Sequence, residues 1–150
     1  MADFQFRPMR TSDHRAVAAL WRESAALMGL GEAFLPPVPD LEGRLAADFG
    51  EGWSVTLAFE AGTLAGFLAV HPGDRVLGQI FLAPAFIGQG LGSAFFRMAK
   101  DRMPDGFTLY TPAANTRARA FYGRGGMQVT HTKAHPEFGH EIVYYAWPGV

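Results

Sequence analysis

The alternation of apolar and polar residues in the middle of the chain predicts three consecutive strands. Between residues 53 and 59, large apolar side chains alternate with small or polar ones, which is the period-two pattern of a strand. Ala61-Gly62 predicts a turn, and residues 63–70 return as a second strand. His71-Pro72-Gly73 predicts the next turn, into a third strand that begins near Arg75. Because short turns join antiparallel neighbours, we expect this part of the sheet to be antiparallel.

The first fifty residues carry one strand and two helical patterns. Residues 4–9 predict a short strand, and Thr11-Ser12-Asp13 offers N-caps for the helix that follows. We expect Gly29 and Gly31 to end that helix, whose inner face has helical spacing: Val17, Leu20, Trp21, Ser24 and Met28. Residues 34–39 contain three prolines and are predicted to be irregular. A second helix is predicted from near Asp40 to Gly50, with one apolar face: Leu41, Leu45 and Phe49.

The second half of the chain alternates helices and strands. A helix that Pro104 ends is predicted from one apolar face: Leu91, Ala94, Phe95, Met98, Ala99 and Met103. A strand follows at residues 106–111, and another helix runs from near Asn115 to Arg124. Two closing strands are predicted at residues 127–132 and 141–147. The predicted order is β-α-α-β-β-β-α-β-α-β-β, an α+β (mixed α/β) fold of one sheet with helices on its faces.

Composition narrows the classes of function. A chain of 150 residues predicts a single domain, 1–150, and 49% hydrophobic with 18% charged residues is ordinary for a globular protein. A net charge of −1 without blocks of like charge argues against nucleic acid or a membrane as partner. The absence of cysteine excludes disulfides and thiolate chemistry. Because Met1 is followed by no apolar signal region and no membrane-length run occurs, we expect a cytoplasmic protein.

Three glycines at the turn from the third strand into the next helix predict an anion site. Gly88, Gly90 and Gly92 let backbone N–H groups approach a ligand, and a helix N-terminus carries unpaired donors with a partial positive charge. Two familiar phosphate motifs do not fit. A Walker loop needs Lys-Ser/Thr where Ser93-Ala94 stands, and a dinucleotide fingerprint needs glycine at Ser93.

The helix after the fifth strand predicts a second group of functional residues. Residues three, four and seven apart share a helix face, so Asn115, Ala118 and Tyr122 lie on one side. That face predicts a groove with polar groups at both ends. The alternative is a plain amphipathic helix with Phe121 in the core and Tyr122 at its rim.

Both segments resemble the GNAT acetyltransferase superfamily. Gly90 and Gly92 match the end of its loop motif [Q/R]-x-x-G-x-[G/A], although Ile87 stands where Gln or Arg is usual. The helix motif N-x-x-A-x-x-[FL]-Y-x-x-x-G-[FM] is matched in register by Asn115, Ala118, Phe121, Tyr122, Gly126 and Met127. The resemblance implies a GNAT-like fold, with one central, mostly antiparallel sheet that opens between strands 4 and 5 and helices on both faces.

The resemblance also implies acetyl-CoA as cosubstrate, no metal, and a set of site residues. The backbones of Phe81 and Leu82 would pair with the pantetheine arm, and the N–H groups from Gly88 to Ser93 would hold the diphosphate. Tyr122 and Asn115 are the implied catalytic residues. The implied cofactor-binding residues are Phe81, Leu82, Ile87, Gly88, Gln89, Gly90, Leu91, Gly92, Ser93, Asn115, Phe121, Tyr122 and Arg124. The charge missing at Ile87 would come from one of three cations: Arg97, Lys100 or Arg124.

The implied activity is transfer of an acetyl group from acetyl-CoA to a primary amine of a small molecule. Two alternatives stay open, acetylation of a protein N-terminus or lysine, and a non-catalytic acyl-CoA-binding regulatory module; a homodimer also stays open. Trp21, Phe34 and Leu35 are candidates for an apolar acceptor pocket, although core packing is favoured. The general base is unassigned among several candidates: Glu60, His71, His131, His135 and His140. A metal site at the last three histidines is disfavoured, since their spacing is not helical and Pro136 interrupts it.

Overall fold

The computed structural model describes residues 3–29 and 35–150, which form one seven-stranded sheet with four α-helices. The strands are β1 (Gln5–Pro8), β2 (Ser54–Glu60), β3 (Thr63–His71), β4 (Val76–Leu82), β5 (Phe107–Pro112), β6 (Gln128–Ala134) and β7 (Glu141–Trp147). In the sheet they lie in the order β1-β2-β3-β4-β5-β7-β6. The helices are α1 (His14–Ala25), α2 (Val38–Asp48), α3 (Leu91–Arg102) and α4 (Thr116–Arg124). The predicted order of strands and α-helices is confirmed.

Strands β1 to β4 form an antiparallel meander, as the hydrophobic pattern predicts. The turn between β2 and β3 is a two-residue hairpin in which Ala61 has φ 49° and Gly62 has φ 84°. Positive φ at both positions gives the backbone twist that matches two right-twisted strands. The turn therefore fixes the register Glu60 to Thr63 from which the hairpin extends.

The sheet opens between β4 and β5. These two strands run parallel and pair at Val76 and Thr108, near their N-terminal ends. Just beyond that pair, the β3–β4 register shifts: Val70 pairs with Leu77 but Ala69 pairs with Gln79, which leaves Gly78 as an extra residue in β4. A bulge of this kind bends its strand and increases the twist. We attribute the gap between the C-terminal halves of β4 and β5 to this bend.

Helices cover the two faces of the sheet and create two cores. On one face, α3 and α4 pack over buried side chains that include Phe95, Phe96 and Tyr122. On the other face, α1 and α2 pack around Trp21 and Phe67, and they cover the β2–β4 half of the sheet. Within the described residues, no helix has both the length and the apolar composition needed to cross a membrane.

The prediction that residues 34–39 are irregular is wrong for the end of that segment. Helix α2 begins at Val38, with Pro39 in its first turn. The first N–H groups of a helix have no intrahelical partner, so a proline there removes no hydrogen bond. The helix ends at Asp48 rather than Gly50. Gly31 and Phe34 lie outside the described residues, whereas Gly29 ends the first helical segment with φ 83°.

The expected N-caps at residues 11–13 have a different role. Thr11–Asp13 forms a short 3₁₀ turn, and Asp13 makes no side-chain cap bond to α1. Its carboxylate instead accepts two bonds from the Arg7 guanidinium, at 2.8 and 2.9 Å, and one from the Arg10 N–H at 2.7 Å. The side chain therefore ties the end of β1 to the start of α1.

We expect Asp13→Asn to destabilise the fold by about 1 kcal/mol at neutral pH, since it removes a bidentate ion pair at the surface. Hydrogen bonding from Arg7 lowers the pKa of Asp13 from 3.8 to about 2. A lowered pKa stabilises the folded state above the unfolded value, so this contribution is lost as the pH falls from about 4 to about 2. Urea unfolding of both proteins across that range should show the difference shrinking to zero.

Asp48→Asn is the matched control for this prediction. Asp48 pairs with Arg44 at 3.1 Å, but both side chains are more than 40% exposed. An exposed pair of this kind contributes roughly 0.5 kcal/mol or less. Equal losses in the two variants, or a difference for Asp13→Asn that does not depend on pH, would show that the carboxylate of Asp13 has no special role.

Candidate functional site

A cavity of about 580 Å³ occupies the gap between β4 and β5. Its walls come from both faces of the sheet: α1 and α2 on one side, and the glycine turn and α4 on the other. The C-terminal halves of β4 and β5 and the loop between β6 and β7 complete the lining. Residues from both faces of the sheet therefore line one continuous cavity.

The glycine turn presents the N-terminus of α3 to this cavity. Gly88 and Gly90 have φ values of 82° and 87°, and Gly90 is the N-cap of α3. The first helical bond runs from the Ala94 N–H to the Gly90 carbonyl at 3.0 Å. The N–H groups of the three residues before Ala94 thus belong to the unpaired first turn, where the helix carries a partial positive charge. Backbone donors arranged in this way can bind an anion.

Most of the predicted site residues line the cavity. They are Phe81, Leu82, Ile87, Gly88, Gly90, Gly92, Ser93, Asn115, Phe121, Tyr122 and Arg124. Two predicted residues lie elsewhere. The Gln89 amide donates to the Ala85 carbonyl at 3.0 Å, within the turn itself, and the Leu91 side chain is fully buried in the core. Each of these two can reach a ligand through its backbone N–H alone.

Asn115 is the N-cap of α4. Its side-chain oxygen accepts from the Ala118 N–H at 3.3 Å, and the side chain also lines the cavity. The asparagine therefore satisfies a donor in the first turn of α4 and fixes where the helix starts. Because Tyr122 lies two turns further along the same face, the cap also sets the position of the phenol.

Tyr122 lies at the boundary between the core and the cavity. Its ring packs against Phe96, Phe121 and Tyr145 at centroid distances of 6.1, 5.5 and 5.8 Å, and 8% of the residue is exposed. Burial raises the pKa of the Tyr122 phenol well above its ordinary value of 10, and the neighbouring Tyr145 adds to the effect. The hydroxyl therefore stays protonated at neutral pH and can act as a hydrogen-bond donor.

A smaller, basic cleft of about 300 Å³ adjoins the glycine turn. Arg97, Lys100 and Arg124 line it, together with Ser93 and Phe121, which line the main cavity too. The Lys100 ammonium donates to the Gly125 carbonyl at 2.8 Å and thereby helps to end α4. All three candidate cations thus share one cleft, and Arg124 faces both cavities.

The opposite half of the cavity is mainly apolar. Trp21 and Leu35 both line it. Trp21 also packs on Phe67 and Phe81, so its side chain belongs to the core and to the cavity wall at once. The candidate Phe34 lies outside the described residues. Tyr110 also lines this half, although it is not among the residues predicted from the sequence. The alternation of β5, which buries Leu109 and exposes Tyr110, was the signal for it.

The candidate bases divide into two groups. Glu60 and His71 are the last residues of β2 and β3, and neither lines the cavity. The His71 Nδ1 accepts a hydrogen bond from the Asp74 N–H at 3.0 Å. His131 stacks on Tyr144 at 4.3 Å, also away from the lining. His135 and His140 do line the cavity. Among the described residues, no three His, Cys, Asp or Glu side chains form a group that could hold a metal ion.

The charged side chains of the cavity are all basic. Of the described lining residues, Arg44, Arg117 and Arg124 carry positive charge, and none is Asp or Glu. The Arg44 guanidinium lies 5.2 Å above the Trp21 ring and pairs with Asp48 at the rim. A cavity with this lining attracts anionic ligands and disfavours molecules with several positive charges.

Comparison with known proteins finds a family model that matches the sequence and solved structures that share the fold. A family model described as "Acetyltransferase (GNAT) family" matches residues 15–127. No curated protein sequence is similar enough to this chain to count as a relative. Among solved structures, apo-form YjaB from Escherichia coli is 20% identical, with a TM-score of 0.75 and 99% of each chain covered.

Two further solved structures have the same fold. An acetyltransferase from Thermus thermophilus is 22% identical, with a TM-score of 0.75 and 99% of each chain covered. A phosphinothricin acetyltransferase from Sinorhizobium meliloti, in complex with acetyl-CoA, is 14% identical with a TM-score of 0.74; 97% of this chain and 88% of that chain are covered. At these identities the likeness concerns the fold, and the predicted fold class is confirmed.

Proposed function

The chain belongs to the GNAT acetyltransferase family, and on that premise we propose that it transfers an acetyl group from acetyl-CoA to a primary amine of a small molecule. The observation that carries the proposal is the gap between β4 and β5, whose wall on the α3 and α4 face contains both the glycine turn and Tyr122. A thioester in this gap would have its charged end near the N–H groups of the glycine turn and its reacting end near the Tyr122 hydroxyl.

The glycine turn fits the diphosphate of acetyl-CoA. A Cβ built at Gly88 or Gly90 would meet no atom within 4 Å, so the space in front of the turn is open. The N–H groups of Leu91, Gly92 and Ser93 and the helix dipole would then bind the diphosphate. Since these donors belong to the backbone, Ile87 at the usual Gln or Arg position removes a side-chain contact and leaves the site intact.

The open edge of β4 fits the pantetheine arm. Phe81 and Leu82 pair on one side with Phe67 and Gly66 of β3, and their other side faces the gap. The arm carries amide groups, which can pair with this edge as an added strand would. A backbone N–H of the same strand near Leu82 would meet the oxyanion as the amine attacks.

Tyr122 is assigned as the hydrogen-bond donor to the departing thiolate. Its raised pKa makes complete proton transfer to sulfur more costly than between a free phenol and a thiol, whose ordinary pKa values are about 10 and 8.5. The hydroxyl would therefore stabilise the developing negative charge mainly by a hydrogen bond. Asn115 would contact the cosubstrate or a bound water beside it, in addition to capping α4.

The lining favours a small acceptor without extra positive charge. We call the half of the cavity opposite the glycine turn the acceptor half. Helices α1 and α2 and the β6–β7 loop line it closely, which disfavours a folded protein as substrate. The basic side chains of the cavity would repel a polyamine. Protein N-terminal or lysine acetylation and non-catalytic acyl-CoA binding are the alternatives. We also infer a single acetyltransferase domain over residues 1–150, a cytoplasmic location, and no nucleic-acid or membrane partner.

The test combines binding with turnover. Thermal unfolding with and without acetyl-CoA measures binding, and CoA release is then followed with a panel of amines: phenethylamine, L-methionine, spermidine, Nα-acetyl-lysine and a tetrapeptide with a free N-terminus. We expect a rise in Tm with acetyl-CoA and the fastest release with phenethylamine or L-methionine. Stabilisation without CoA release on any amine would contradict the enzyme. Preference for the tetrapeptide or acetyl-lysine would favour the protein-directed alternative.

Arg124→Gln should weaken acetyl-CoA binding about fivefold, or roughly 1 kcal/mol, because one partly exposed phosphate contact is lost. Its affinity should also depend less steeply on salt. Calorimetric titration at two salt concentrations measures both effects. Arg15→Gln on α1 removes the same charge away from the cavity and is the control. Equal affinities for the Arg124 variant and the unmodified protein would remove Arg124 from the binding site.

A further inference from the structure

The loop between β6 and β7 places two stacked imidazoles at the acceptor half of the cavity. His135 and His140 lie 4.9 Å apart between ring centroids, with their planes 19° apart, and Phe138 stacks on His135 at 5.1 Å. The backbone closes the same loop, since the His135 N–H donates to the His140 carbonyl at 2.7 Å. The stack is therefore held by ring contacts and by main-chain bonds.

The sheet brings this loop to the mouth of the gap. The Ala113 N–H, just after β5, donates to the Glu141 carbonyl at 2.9 Å, so His140 lies beside the end of β5. Ile142, two residues further on, pairs with Pro112 and lines the cavity. Tyr122 reaches the same cavity from α4, on the face that α3 and α4 cover. A thioester in the gap would thus have Tyr122 on its cosubstrate side and the histidine stack on its acceptor side.

Hydrogen bonding excludes His135 as the proton acceptor. The His135 Nδ1 accepts from the N–H groups of Glu137 and Phe138, at 3.1 and 3.2 Å. A nitrogen that accepts carries no proton, so the proton of neutral His135 is on Nε2. Neither nitrogen of His135 can then take a proton from a substrate without breaking the loop. His135 is a positioning residue, and we assign proton transfer to His140.

Burial favours the neutral form of the His140 imidazole. The charged and titratable groups that line the cavity with it are the arginines of α2 and α4, His135, Tyr110 and Tyr122, whereas Glu137 and Glu141, on either side of it in the chain, are exposed and do not line the cavity. Burial lowers the pKa of His140, and repulsion from His135 lowers it further. At neutral pH the ring is therefore unprotonated and ready to accept a proton.

Resting on the proposed function, we propose that His140 accepts the proton of the acceptor amine during acetyl transfer. The protonated amine first passes one proton to His140 and from there to solvent, which frees the nitrogen lone pair. That lone pair forms the N–C bond to the acetyl carbonyl, and the electron pair of the C–S bond leaves with sulfur, which Tyr122 stabilises. The nitrogen then loses its second proton and the thiolate takes one up, so the products are the amide, CoA and one released proton.

The test is the dependence of kcat/KM on pH between about 5 and 10, with whichever amine of the panel gives the highest wild-type value. The wild-type rate should rise with an apparent pKa below the ordinary His value of about 6.5 and then level off. In His140→Asn, kcat/KM at pH 7 should be about 100-fold lower than in the wild type. Its pH profile should have no plateau: kcat/KM should continue to rise with pH up to the pKa of the amine itself. The rise in Tm with acetyl-CoA should be unchanged.

Two variants serve as controls. His135→Asn can place an amide oxygen where Nδ1 accepts, so it should lose less than about threefold in kcat/KM. Because it also removes the repulsion that lowers the pKa of His140, the pH profile should keep its plateau while its rise moves to higher pH. His131→Asn, on the same hairpin but away from the lining, should behave as the wild type. A wild-type profile in His140→Asn, or a loss of acetyl-CoA stabilisation equal to its loss of turnover, would overturn the proposal. Failure of the wild type to release CoA with every amine would instead overturn the proposed function.

Discussion

Tyr122→Phe should lower kcat by about 100-fold or more while changing the affinity for acetyl-CoA by less than about threefold. The substitution removes one hydroxyl and keeps the ring that packs on Phe96, Phe121 and Tyr145. A hydrogen bond to sulfur strengthens as negative charge develops, so its loss raises the barrier and hardly affects the bound ground state. A 100-fold loss corresponds to about 2.7 kcal/mol.

Presteady-state CoA release and calorimetric titration measure the two quantities separately. Because burial holds the pKa of Tyr122 far above neutrality, the wild-type rate should show no loss from phenol ionisation up to about pH 10. Tyr110→Phe is the matched control, because Tyr110 is an exposed phenol on the acceptor half of the same cavity. Equal losses of turnover and acetyl-CoA affinity in Tyr122→Phe would contradict its role as a donor in the transition state.

Phe95→Ala should destabilise the fold by about 3–5 kcal/mol. Phe95 is fully buried in the second turn of α3, and its ring meets Phe6 of β1 edge to face at 5.9 Å. Removing the ring leaves a cavity beneath α3, the helix whose N-terminus we propose as the diphosphate site. Since a domain of this size is stable by roughly 5–15 kcal/mol, the loss takes a large part of the total.

Urea unfolding measures this loss and also tests whether the folded variant still binds acetyl-CoA. At a cosubstrate concentration of about 100 Kd, the variant should regain about 2.7 kcal/mol, because the ligand binds the folded state alone. Phe138→Ala is the control: Phe138 is 48% exposed, and its loss should cost less than about 1 kcal/mol. A loss under about 1 kcal/mol for Phe95→Ala would mean that the core under α3 collapses around the missing ring.

Local sequence was sufficient for the features that depend on neighbours in the chain. The order of elements, the cap at Asn115 and the left-handed glycines at positions 88 and 90 all follow from short-range pattern and turn chemistry. The errors also have local causes. Proline breaks a helix interior but is tolerated in a first turn, where Pro39 lies, and the Asp13 carboxylate bonds to Arg7 instead of capping α1.

The acceptor half of the site could not be derived in this way. The strand order places β7 between β5 and β6, which brings His140 beside residues almost thirty positions earlier in the chain. Nothing in the spacing of the histidines indicates that pairing. The bulge at Gly78 follows in part from the local sequence, because a glycine within a strand pattern indicates a bulge. The gap that we attribute to it also requires β5 as the neighbour of β4, and that pairing is not visible in the local sequence.

A crystal structure of the protein with acetyl-CoA would show where the cosubstrate binds. We expect it to lie between β4 and β5, with diphosphate oxygens within about 3 Å of the N–H groups at the start of α3. The sulfur should lie beside the Tyr122 hydroxyl, and the acetyl group should face His140. Acetyl-CoA bound outside the gap, or with its sulfur remote from Tyr122, would contradict the account.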